Sequence, residues 1–188
     1  MKKYIAAFAI FSSLVTASCF ADSYTTDAEF SVPVFEISHL GFTTQHGLFK
    51  KTNGKISIDF TTKTGSVDFT IFTESLDMGW EPWTKHLSDE GLFNVNKFPT
   101  MTFKSNKLIF DGDKVVAADG QFTMIGVTAP LKVEVNNFQC SSNPVNKKQM
   151  CSGNVTATLK RSVFGLTKYI PAVSDEVKVT IPVEAYKD

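Results

Sequence analysis

The sequence predicts an all-β fold: one antiparallel sheet of eight strands closed into a barrel, with a short helix covering one mouth. Three observations carry this. Apolar and polar residues alternate in segment after segment, as in Val67-Asp68-Phe69-Thr70-Ile71, and successive side chains of a strand point to opposite faces. Gly, Asn and Asp interrupt the alternations where tight turns would need them. No helices alternate with the strands, and neither G-x-G-x-x-G nor a P-loop occurs, which argues against a doubly wound sheet.

In chain order, residues 1–21 read as an export signal. Lys2 and Lys3 form the charged start, Ile5 to Val15 the apolar stretch, and Cys19-Phe20-Ala21 a small-x-small cleavage site. That stretch is shorter than the roughly 20 residues that span a bilayer. The mature chain is expected to begin near Asp22, outside the cytoplasm, periplasmic or secreted. Thr16-Ala17-Ser18-Cys19 also approximates a lipoprotein box that would anchor the chain at Cys19, but Thr16 stands where an aliphatic residue is usual, so removal of Cys19 with the signal is the reading adopted. Residues 22–188 are then one domain, long enough for a core of its own.

Strands are expected at about 24–39, 54–61, 67–75, 100–110, 114–124, 130–138, 153–161 and 176–185. Thr52-Asn53-Gly54, Lys63-Thr64-Gly65 and Asp111-Gly112-Asp113 read as hairpin turns between them. One face of each strand is apolar: Phe35 and Ile37 on the first, Ile56, Ile58 and Phe60 on the second, Val67, Phe69 and Ile71 on the third. Met101 and Phe103 follow, then Phe122 and Met124, and Leu131, Val133 and Val135. The last two strands offer Val155, Ala157 and Leu159, then Val177, Val179 and Ile181. A sheet with one dry face and little helix to cover it closes on itself. The helix is expected over 82–91, with Pro82 at its start, Trp83 and Leu87 on one face, His86 beside them and Gly91 as its stop. The irregular link 161–175 is the second element expected to border an opening.

Composition narrows the function. Without the signal, 17 basic side chains face 19 acidic ones, and Arg161 is the single arginine, so neither nucleic acid nor an anionic surface is an expected partner. Cys140 and Cys151 flank a polar stretch and are expected to form a disulfide in an exported chain. The three histidines, His39, His46 and His86, show no metal-ligand spacing, and no metal or cofactor is expected. Neither G-x-S-x-G nor H-E-x-x-H occurs, and the acid pairs Asp89-Glu90 and Asp175-Glu176 are adjacent residues that face apart. Seventeen phenylalanines, only three of them in the signal, point to apolar contents. An eight-stranded barrel is just wide enough to be filled by its side chains or to hold one slim ligand.

Motifs spread along the chain carry a family resemblance. Ser31, Phe35 and Ile37 precede His39-Leu40-Gly41, followed by Gly47-x-Phe49, Gly54-x-Ile56 and Ser75-Leu76-Asp77. His86-Leu87 with Phe93, Phe98-Pro99 and Phe103-x-Ser105 come next, then Gly126-Val127-Thr128-x-Pro130 and Arg161-x-x-Phe164-Gly165. In order and spacing the chain resembles the YceI-like proteins, exported lipocalin-like barrels associated with polyisoprenoid binding. The resemblance implies a noncatalytic carrier of an isoprenoid lipid or quinone, transient contact with a membrane or membrane protein, and a homodimer. Phe35, Ile37, Phe69, Ile71, Phe103, Phe122 and Met124 are the residues expected around the tail, with Trp83 and His86 near the head group; His39, Phe42 and Phe164 are further expected ligand-binding residues. Two departures remove charge at the rim: Trp83-Thr84 replace the family's usual Arg-Asp, and Ala129 replaces a basic residue, so the head group bound here is expected to differ. Rival readings are a filled barrel acting as a stress-linked interaction module and a small exported enzyme using His39 or His86.

Overall fold

The computed structural model describes residues 21–188; the expected signal and the Cys19 anchor lie outside them, apart from Ala21. The strands are β1 (Asp22–Thr26), β2 (Val34–His39), β3 (Thr43–Phe49), β4 (Thr52–Asp59), β5 (Thr64–Phe72), β6 (Leu76–Asp77), β7 (Thr100–Asp111), β8 (Lys114–Met124), β9 (Val127–Ser142), β10 (Gln149–Lys160) and β11 (Val173–Lys187). All pair antiparallel, in the ring β1-β4-β5-β7-β8-β9-β10-β11 that closes through β1 and β11, which is the eight-stranded barrel expected. The ladder β11-β2-β3-β6 extends the wall at one end. The chain is therefore a meander in which 22–39, 43–59 and 64–77 are each one strand broken in two.

The break within 24–39 has a local cause. Asp27 Oδ1 accepts from the Glu29 N–H in a turn, and Pro33 has no N–H to give to a ladder. Across the gap the fully buried Ser31 stands in for a strand partner: its Oγ donates to the Glu184 carbonyl at 3.3 Å and accepts from the Glu184 N–H at 3.2 Å. Thr52 Oγ1 donates to the Ser31 carbonyl at 2.9 Å. Ser31→Ala is expected to lower stability by about 1–3 kcal/mol, because it strands the Glu184 N–H, while the Glu184 carbonyl keeps the Asp27 N–H; an unchanged urea midpoint would refute this role.

Several expectations need correction. β3 falls where no strand is expected, since Thr43, Thr44, Gln45 and His46 hide its alternation. The turn is only the Leu40-Gly41 pair, both with positive φ, closed by the Phe42 N–H donating to the His39 carbonyl. Thr52-Asn53-Gly54 is strand, not hairpin; Gly54 is there because a Cβ would come within 2.6 Å of Phe69 and 2.7 Å of Thr26. The helix, α1, is Glu81–Ser88, and Gly91 falls in the turn beyond it. β11 begins at Val173, not 176.

At the far end, closure between β1 and β11 is short, at Tyr24↔Lys187 to Thr26↔Ala185. Asp188 reinforces it: donors from Ser23, Thr25 and Lys55 hold its carboxyl down at about 2. The β9–β10 hairpin is locked by the Cys140–Cys151 disulfide, whose residues lie directly opposite in the ladder.

Candidate functional site

The inward faces of the strands surround a cavity of about 530 Å³, in the range of small-molecule sites. Every residue expected to face inward lines it except Phe60, which sits in the β4–β5 turn and packs on Phe138. The lining is almost wholly apolar. Two buried clusters meet along the axis, one around Phe35, Phe69, Met101 and Phe122, the other around Tyr24, Ile58, Leu108 and Val133, and Val67, Phe103 and Leu131 bridge them. On β11 the lining runs from Val173 to Ala185, twelve steps of about 3.3 Å on a strand tilted about 40°, so the cavity extends roughly 30 Å along the barrel.

One mouth is built from the β2–β3 turn, α1 and the loop that follows β10. Trp83 packs on His39, with ring centroids 5.9 Å apart, and Leu87 and Phe93 face inward beside it. Tyr169 closes the other side: its hydroxyl lies 3.3 Å from His86 Nε2. Most of the polar lining gathers here, as His39, Gln45, His86, Arg161, Lys168 and Tyr169, with Tyr24 and Ser152 towards the opposite end. Among the described lining residues there is no carboxylate, and neither His39 nor His86 contacts one. His46 faces outward beside Glu36, 4.0 Å away, so the two histidines of that hairpin are not brought together.

Arg161 holds the mouth loop. Only 6 % exposed, it donates through Nε to the Ser174 carbonyl, through Nη1 to those of Leu166 and Lys168, and through Nη2 to that of Val173, all at 2.7–2.8 Å. Burial pushes its pKa down and the nearby Asp175 pulls it back up. Asp175 is half-buried and accepts from the Ser162 N–H and Oγ, and these bonds lower its pKa. The fork of five donors suits four carbonyls that converge from the loop and the start of β11, which a single point charge would not satisfy.

Of the residues expected at the site, Phe35, Ile37, Phe69, Ile71, Phe103, Phe122 and Met124 line the cavity along its length, and His39, Trp83 and His86 line its mouth. Phe42 does not: it stands 89 % exposed on the β2–β3 turn. Phe164 does not either; it is buried behind Phe122, edge to face at 5.5 Å, in a 3₁₀ turn at Arg161–Phe164. Sequence reasoning missed Arg161, Lys168 and Tyr169, which lie in a link with no periodicity to read. The lone arginine was the available signal.

A closed antiparallel barrel of eight strands, with an apolar cavity open beside a helix, defines the class: a lipocalin-like barrel with room for a slender guest. The chain belongs to the YceI-like family, whose domain model matches residues 24–185. It is 31 % identical to Protein YceI of Salmonella arizonae, over 98 % of this chain and 97 % of that one. Among solved structures, it is similar to a YceI protein of Campylobacter jejuni, with a TM-score of 0.67, 23 % identity and coverage of 100 % of this chain and 99 % of that one. A polyisoprenoid binding domain from Saccharophagus degradans shares the fold at a TM-score of 0.62 and 16 % identity, covering 88 % of this chain and 98 % of that domain.

Proposed function

We propose that the protein is an exported carrier that binds a long isoprenoid lipid, of polyprenyl or quinone type, without catalysis. The observation that supports this most is the long apolar cavity, with family membership and the likeness to a polyisoprenoid binding domain beside it. The tail lies along the barrel axis between Phe35, Phe69, Phe103 and Phe122. Its head stays at the mouth among His39, His86, Lys168 and Tyr169, side chains that supply hydrogen-bond donors to a carbonyl or phosphate oxygen. Ten buried tail carbons contribute about 8 kcal/mol by transfer, within the 4–15 kcal/mol cost of association, and about twenty outweigh even the upper figure. The signal-like start of the sequence supports an activity outside the cytoplasm.

Purified protein, extracted with organic solvent and examined by mass spectrometry, is expected to release an isoprenoid lipid. After delipidation it is expected to take up about one polyprenol or quinone per chain. No extracted lipid, together with no uptake of either compound, would defeat the carrier reading.

A further inference from the structure

Of the eight large apolar side chains exposed among the described residues, six gather at one end of the barrel, while Phe30 lies in the break between β1 and β2 and Val145 at the opposite end. Leu40, Phe42, Trp80, Val127, Val163 and Tyr169 are each 40 % exposed or more. All six lie on the segments at the mouth end: the β2–β3 turn, the start of α1, the β8–β9 turn and the loop after β10. Contacts tie these segments together. The Leu40 N–H donates to the Ala172 carbonyl, Trp80 packs on Trp83 at 6.2 Å, Gly126 lies against Phe98, and Tyr169 meets His86. At the opposite end, the turns carry Lys63, Asp113, Asn143, Lys147 and Lys148, with Val145 the one large apolar side chain exposed there among the described residues.

Scattered apolar residues on a surface mean little, but a ring of them around an opening is an interaction site. Two features say what it meets. Leu40 and Tyr169 belong both to the ring and to the cavity lining, so whatever covers the ring is continuous with the lipid site. The exposed charges around it, Lys85, Lys97 and Lys168 against Glu81, Asp89 and Glu90, balance, so the partner is not selected by charge. Tryptophan and tyrosine favour the zone between head groups and acyl chains, where one end of the ring is apolar and the other wet.

We propose that this collar seats on the surface of an electrically neutral lipid bilayer, so that the mouth opens onto the membrane and the guest passes between acyl chains and barrel without crossing water. The purpose of the docking rests on the carrier reading; the docking itself is measured apart from it. Full-length mature protein is expected to co-sediment with phosphatidylcholine vesicles, with a blue shift in tryptophan emission, and raising the salt concentration is expected to leave binding unchanged. The double substitution Phe42→Ser, Trp80→Ser, at positions outside the cavity lining, is expected to weaken vesicle binding about tenfold or more while polyprenol uptake from a detergent-free dispersion stays as in the wild type.

Absence of co-sedimentation would overturn the proposal, as would undiminished binding by the double variant. So would binding that needs anionic lipid and vanishes in salt, or a collar occupied in solution by a second copy of the chain. Failure of polyprenol uptake by the wild type would instead strike the carrier reading and leave the docking measurement standing.

Discussion

Replacing Ala157 with tryptophan is expected to abolish guest binding and leave the barrel folded. Ala157 lies on β10 opposite Val179 and lines the cavity at mid-height, where the two apolar clusters meet. An indole there projects into open space and occupies the path of the tail. Excluding four or five tail carbons from burial removes about 3–4 kcal/mol, a fall of several hundredfold in affinity. Overpacking of a filled core costs about 1–3 kcal/mol, but a ring received by an existing cavity gains contacts, so the change in stability is expected to stay near zero. Uptake of a polyprenol, measured beside the urea midpoint, checks both halves. Undiminished uptake would show that the guest does not run along the axis, and a large loss of stability would show that the interior has no room for the ring.

Arg161→Ala is expected to have the largest effect on stability, about 4 kcal/mol or more. Four carbonyls, two of the mouth loop and two at the start of β11, lose charged donors at once, and hydrogen bonds to charged groups are worth about 1.5–3 kcal/mol each. Arg161→Lys separates the local role from a general loss of folding, since an ammonium keeps the charge and cannot span carbonyls on both arms of the loop. The lysine variant is expected to fold, to be cleaved more readily by protease between Leu166 and Val173, and to bind the guest more weakly. Protease resistance equal to the wild type would mean that Arg161 does not hold the mouth.

Much of this was legible in the chain. A strand's side chains have a period of two, so the inward set could be named from alternation alone, and from Phe35 to Ile181 the structure seats it around one cavity, with only Phe60 displaced into a turn. Closure followed from a dry face with no helix to cover it. Where local pattern is weak, the reading failed: β3 hides behind four polar residues, and Gly54 imitates a turn because a glycine allowing close approach to Phe69 looks the same in sequence as one supplying a positive φ.

Period, turn chemistry and the family motifs thus determined by themselves that this is an eight-stranded barrel with a greasy interior, since each is written in residues near one another in the chain. Whether the interior is filled or hollow, which residues rim the mouth and which aromatic rings face water were decided only by the tertiary structure. Phe42 and Phe164 show why: each sits in an irregular segment, where direction is set by contacts from distant strands and no repeat foretells it. The same holds for Arg161, whose four acceptors assemble only when the loop folds back over the barrel.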